Sequence, residues 1–204
     1  MAFERNVFIN CPFDDDYRPL LRPLLFSVYA LGFEPRIALE SLDSGKPRID
    51  KIIALIKASK YAIHDISRIR AIAAGEYFRL NMPFELGIDV GCRLFSQGRR
   101  GAKKCLILEA EKYRYQAAIS DLSGSDIAVH DNKPENVVAQ VRHWLNGHAR
   151  SAAASPSQVW ATFNEFMSDN DAELTRVGFA RQDIEQLPIN ELMGHMKRWV
   201  AAGP

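Results

Sequence analysis

The feature that most constrains this chain is a repeated alternation of short apolar, β-rich runs with longer runs of helical periodicity, each pair divided by turn chemistry. Val7-Phe8-Ile9-Asn10 is the first strand-like run, stopped by Cys11-Pro12. Residues 14–31 follow as a helix, with acids in the first turn, apolar residues at Leu20, Leu21, Leu24, Leu25, Val28 and Leu31, and Gly32 at its end. Pro19 and Pro23 lie inside this span, so its first turns are expected to be broken or to start late. Residues 33–39 form a second strand, despite Pro35. A helix over 47–59 is expected to bury Ile49, Ile52, Ile53 and Ile56.

The pattern continues with a strand over 61–66, a long loop, and a helix opened by Pro83 and closed by Gly98. A fourth strand covers 105–108, a fifth 127–129, and a helix 134–145 ends the unit. Strands apolar on both faces, each followed by a helix, predict a parallel sheet covered on two sides. Right-handed crossovers make it an open, doubly wound, five-stranded sheet of flavodoxin-like order. Ligands of such sheets bind beyond the carboxyl ends of the strands. That directs attention to residues 10–17, 40–48, 65–81 and 109–114.

The α/β unit is expected to occupy residues 1–149, with a small-residue linker over 150–156 and a C-terminal helical region over 157–204. Helices are predicted at 158–167 and 185–200, with a short one around 171–177. Trp160, Phe163, Phe166 and Trp199 supply their apolar face. About 50 residues make too small a core to stand alone, so this region should pack on the first unit, on a second copy or on a partner. A homo-oligomer formed through these helices is the expectation.

A net charge of +1 gives no overall pull towards nucleic acid, and nucleic acid is not an expected partner. Three dispersed cysteines, Cys11, Cys92 and Cys105, exclude a disulfide framework and a thiolate zinc site as readings. With no leader-like start and no long uncharged apolar run, a cytoplasmic chain without a membrane span is expected. No metal or cofactor is called for.

Several residues at the predicted strand ends carry chemistry. Asn10, Cys11, Pro12 and Phe13 form the turn after the first strand, followed by Asp14, Asp15, Asp16 and Tyr17. The three acids read most simply as helix caps, whereas the Asn10 turn is placed for substrate contact. Asp65 ends the third strand, and Ser67, Arg68 and Arg70 follow it. A carboxylate there can hold ribose hydroxyls. Glu85 falls in the first turn of the helix that Pro83 opens, between bulky Phe84 and Leu86, with Gly87 permitting close approach of another segment. Burial raises a carboxylate's pKa and a helix N-terminus lowers it. A nucleophile for an anomeric carbon must be ionised and partly desolvated, which this position supplies. Asp89, one turn later, shares its face. His64, His130, His143 and His148 lack metal-ligand spacing and read as structural, and His64 should point to the sheet face opposite Asp65.

Phe8-Ile9-Asn10-Cys11-Pro12-Phe13, the strand ending in Asp65 and the start Pro83-Phe84-Glu85-Leu86-Gly87 together resemble the nucleoside 2-deoxyribosyltransferase-like superfamily. They are similar also to its relatives, the TIR-type domains that cleave NAD. The resemblance spans roughly residues 6–145. It implies that Asp65 holds the sugar and Glu85 attacks the anomeric carbon of a nucleoside, nucleotide or NAD, in a setting of prokaryotic defence or signalling. One departure matters. Where those transferases have a small, acid-containing stretch, this chain has Tyr77-Phe78-Arg79-Leu80-Asn81, and arginine invites phosphate. Arg36, Arg48, Arg68, Arg70 or Arg79 would receive it, with Tyr17 and Phe13 stacking on the base. Two other readings stay open: a TIR-like module that binds nucleotide without turnover, and a phosphoacceptor receiver domain built on Asp14 to Asp16, Asp65 and Lys133-Pro134.

Overall fold

The structure is a computed structural model. It describes residues 2–40, 45–69, 75, 79–122, 127–148 and 154–203. Five strands, β1 (Asn6–Asn10), β2 (Glu34–Arg36), β3 (Tyr61–Asp65), β4 (Lys104–Glu109) and β5 (Ile127–Val129), form one parallel sheet. Their order is β2-β1-β3-β4-β5. This is the doubly wound, flavodoxin-like arrangement that the alternation predicts. The central strands β1 and β3 are buried along their whole length, as a sheet covered on both faces requires.

β2 is shorter than expected. It lies at the sheet edge, where Pro35 pairs with Val7 on one side and needs no amide for the other. The first helix also starts late. A single 3-10 turn at Asp15–Tyr17 precedes α1 (Arg18–Ala30). Pro19 then falls in the first helical turn, where its missing N–H is harmless, and Pro23 is accommodated inside the helix. α2 (Arg48–Ala58) buries Ile52, Leu55 and Ile56, but Ile49 stands 37% exposed, one turn too early to reach the sheet.

α3 (Asn81–Phe95) and α2 cover one sheet face, and α1 and α4 (Pro134–Asn146) cover the other. Three further helices, α5 (Pro156–Arg176), α6 (Arg181–Glu185) and α7 (Ile189–Ala202), complete the described chain. α5 is one continuous helix where two, at 158–167 and around 171–177, were expected. Its start is fixed by a capping box between Ser155 and Gln158.

α5 and α7 pack on α1 and α4, and their apolar residues join those of the sheet in one continuous core. Phe26 of α1 is central, fully buried and stacked on Phe166 at 5.4 Å, with Phe163 at 5.6 Å and Trp199 at 5.9 Å. Among the described residues no helix is long and apolar enough to cross a membrane.

Candidate active site

At the carboxyl edge of the sheet, the ends of β1 and β3 lie side by side, with Asn10 in register with His64. This register puts Asn10 and His64 on one sheet face and Asp65 on the other. Asp65 is fully buried. Its Oδ1 accepts the Ser67 amide at 2.8 Å and its Oδ2 the Tyr17 hydroxyl at 2.5 Å. Nε2 of His130, which follows β5, lies 3.1 Å from the same Oδ2. Burial alone would raise the Asp65 pKa, but His130, Ser67 and Tyr17 outweigh it and hold the carboxyl below its usual value. Tyr17 is 1% exposed, and burial, with Asp65 beside it, pushes its hydroxyl well up. It has no open face for stacking on a base; Phe13, half-buried, keeps one within reach of the surface.

Asp14 caps the 3-10 turn, its Oδ1 accepting the Tyr17 amide at 3.0 Å. The same carboxylate draws in Arg68 at 3.6 Å and Arg79 at 3.4 Å. Arg68 and Arg79 thus share one carboxylate at this edge. Arg36 is clamped by Glu40 instead. Arg70, Tyr77 and Phe78 lie outside the described residues, as do residues 41–44 of the second loop.

Glu85 stands in the first turns of α3 and is 7% exposed. Desolvation raises its pKa to about 7, against a smaller opposing pull from the Arg48 charge. Its neighbours differ from expectation. Leu86 is buried, but Phe84 is 61% exposed, and no described residue uses the close approach that Gly87 allows. Cys11 links this carboxyl to the others. Burial, followed by the charges of Asp65, Glu85 and Asp14, pushes its thiol well up. All three carboxyls thus lie within electrostatic reach of one sulfur.

The structure therefore gathers Cys11, Asp14, Tyr17, Asp65, Arg68, Arg79 and Glu85 at one edge. Pro12 lies in the same turn, and Asn81 is exposed at the start of α3. Asp89 does not face the crevice. It is 3% exposed beneath α3, ion-paired to Lys103 at 3.0 Å and bonded to His64 at 3.1 Å.

The sequence reading took His130 as structural, gave no role to Glu109 within residues 109–114, and passed over Lys103. His130 follows the fifth strand, and applying the strand-end rule there would have found it. Glu109 ends β4, fully buried, where it accepts its neighbour's amide at 2.6 Å and holds Arg114, which also donates to the Ser67 carbonyl at 2.6 Å. That bridge ties the loops after β3 and β4 together. Lys103, at the opposite edge of the sheet, gave no signal at all.

Fold and site thus define an open, doubly wound α/β protein with a desolvated glutamate and two arginines at the carboxyl edge of its sheet. Compared with models of known families, with curated proteins and with solved structures, the chain matches none.

Proposed function

We propose that this protein cleaves an N-glycosidic bond, with Glu85 as the carboxylate that meets the anomeric carbon. The observation that carries the reading is the state of Glu85: buried at the expected edge, with a pKa of about 7, so that ionised and protonated forms are both present near neutrality. A carboxylate with few water neighbours is a stronger nucleophile, or a closer counter-charge, for an oxocarbenium-like carbon than a hydrated one.

In the chemistry envisaged, a Glu85 oxygen bonds to the sugar carbon as the carbon–nitrogen bond breaks, and the bonding pair leaves on the base. Water or another acceptor then displaces the carboxylate, which leaves with the bonding pair, and the proton lost by the attacking water passes to that carboxylate or to solvent. Among the described residues, the neighbouring acids are committed: Asp65 to Tyr17, Ser67 and His130, and Asp14 to Tyr17, Arg68 and Arg79. A leaving group that needs no proton suits such a site. A pyridinium base already carries positive charge and departs neutral, so NAD fits better than an uncharged nucleoside. Arg68 and Arg79 supply charge for its diphosphate. The role of Asp65 becomes the anchoring of Tyr17 and His130 under the sugar. The resemblance to deoxyribosyltransferase-like and TIR-type domains leads to the same substrate group.

The test is incubation of the purified chain with NAD and a panel of nucleosides and nucleotides, followed by chromatography of the released base. Release by the wild type and its loss in Glu85→Gln support the proposal. Equal release by both proteins removes Glu85 from it, and tight NAD binding without product makes the protein a binding module.

A further inference from the structure

A line of buried polar groups crosses the sheet face opposite Asp65. Lys103, 4% exposed just before β4, donates to the Ile56 carbonyl at 2.8 Å and to the Ser59 carbonyl, both at the end of α2, and pairs with Asp89 of α3 at 3.0 Å. The other oxygen of Asp89 meets His64 Nε2 at 3.1 Å. His64 Nδ1 meets Asn10 Nδ2 at 3.0 Å, and the same Nδ2 donates to the Met82 carbonyl at 2.8 Å. Met82 lies in the first turn of α3, three residues before Glu85.

The chemistry of these groups fixes every proton. A backbone carbonyl only accepts, so the Asn10 atom facing Met82 is the amide nitrogen. That nitrogen only donates, so His64 Nδ1 must accept. His64 then carries its single proton on Nε2, aimed at Asp89. The charge of Asp89 is balanced by Lys103.

The remaining neighbours of His64 do not change this assignment. The Phe8 ring packs edge-on at 5.9 Å, and its register partner on β4 is Ile107. Glu85 lies one turn earlier on α3, and Arg93, one turn later, acts with Asp89 and Lys103 on Cys105. Burial would raise the Asp89 pKa, but His64 and Lys103 more than offset it and hold the carboxylate ionised.

We propose that Lys103, Asp89 and His64 are positioning residues: they keep His64 in the tautomer that accepts from Asn10, and Asn10 then ties the first turn of α3, with Glu85 on it, to the end of β1. The proposal rests on Glu85 being the working carboxylate. Without the Lys103 charge, Asp89 is balanced most readily by a second proton on His64. Nδ1 then becomes a donor facing a donor, Asn10 has to turn, and the Met82 carbonyl loses its tie to β1.

The experiment uses the full chain with two variants, Lys103→Met and the charge-neutral pair Asp89→Asn/Lys103→Met. Nitrogen NMR reads the His64 ring, and carboxyl-carbon NMR reads the titration of Glu85. Expected for the wild type are a proton on Nε2 alone and a Glu85 midpoint of about 7. In Lys103→Met, His64 Nδ1 should no longer read as a bare acceptor, and the Glu85 midpoint should fall by about one unit or more towards the ordinary glutamate value. The double variant should restore both readings. In base release, kcat should fall roughly tenfold to a hundredfold in the single variant with KM little changed, and recover in the double.

A wild-type proton on Nδ1, unchanged readings in Lys103→Met, or a double variant no better than the single would each overturn the proposal. Should Lys103→Met fail to fold, the wild-type tautomer and the double variant decide it in the same way. The NMR readings need no turnover. If the chain releases no base, the function proposed above fails while the relay is still judged.

Discussion

The Tyr17 hydroxyl donates to the Asp65 carboxylate at 2.5 Å, and both side chains are shut away from solvent. The bond joins the turn after β1 to the end of β3, so the two segments are held together by one proton. Removing a partner from a buried carboxylate leaves its desolvation uncompensated. Tyr17→Phe should therefore lose about 1–3 kcal/mol of stability, read by urea denaturation at neutral pH. A loss of a few tenths would mean that the bond is incidental.

The same carboxylate gives a pH-dependent signature. The folded-state pKa of Asp65 is depressed, so its contribution is present above the unfolded value of about 3.9 and is lost as pH falls through the folded one. Comparing wild type with Asp65→Asn, the difference in unfolding free energy should be flat from pH 7 to 5 and shrink below about pH 4. A difference that instead grows on acidification would reverse the assigned direction.

Glu85 has the opposite sign. Its folded pKa is raised from 4.5 to about 7, so folding favours the protonated form. Below the unfolded value it brings no penalty. Between 4.5 and about 7 the penalty grows, and above that it is constant. Glu85→Gln should accordingly be more stable than wild type at pH 8, by up to about 3 kcal/mol at ~1.4 kcal/mol per unit, and equal to it near pH 4. Activity, by contrast, should rise with pH through about 7 as the nucleophile ionises and vanish in the variant. Stability gained where activity is lost is the expected mark of a strained catalytic group.

How much of this was legible beforehand depends on whether the signal was local. The strands read clearly because β1 and β3 are apolar on both faces, and the strand-end rule then located Asp65, Asn10 and the helix carrying Glu85. Pro35 shortened β2 because an edge strand tolerates what a central one does not. Ile49 was misplaced because helical periodicity gives a face without saying where the sheet ends. The state of Asp65 was not legible, since three donors reach it from residues 17, 67 and 130. Lys103 reads as one more surface lysine in a basic run; only the packing of α2 and α3 over it makes it a buried counter-ion. Fold follows periodicity, whereas the commitments of buried polar groups follow from contacts across 25 to 54 positions.

The arginine rim makes a prediction about substrate. Asp14 offsets part of the charge of Arg68 and Arg79 at 3.4–3.6 Å. Either Arg68→Ala or Arg79→Ala should raise KM for NAD roughly tenfold, which is about 1.4 kcal/mol, and leave KM for a phosphate-free nucleoside unchanged. Asp14→Asn should lower KM for NAD only. Equal effects on both substrates would show that the rim shapes the crevice rather than reading phosphate.

The last prediction concerns the C-terminal helical region, expected over 157–204 to pack on the first unit, on a second copy or on a partner. It packs on the first unit, where the Phe26 ring is covered by Phe163, Phe166 and Trp199 from α5 and α7. Arg18 and Arg22 donate to the Glu185 carbonyl at 3.1 and 2.8 Å, and Lys197 pairs with Glu34 at 2.8 Å, so the contact is pinned at its polar rim as well. Deleting the three helices would expose one whole side of α1. Phe166→Ala should cost about 3–5 kcal/mol, the range for removing a large aromatic from a packed core, and should lower the melting temperature without changing the pH dependence of Glu85. A chain ending at residue 148 should be insoluble or molten. If that fragment instead stays monomeric with the wild-type melting point, the helices are dispensable to the fold, and their apolar face is available to a second copy of the chain.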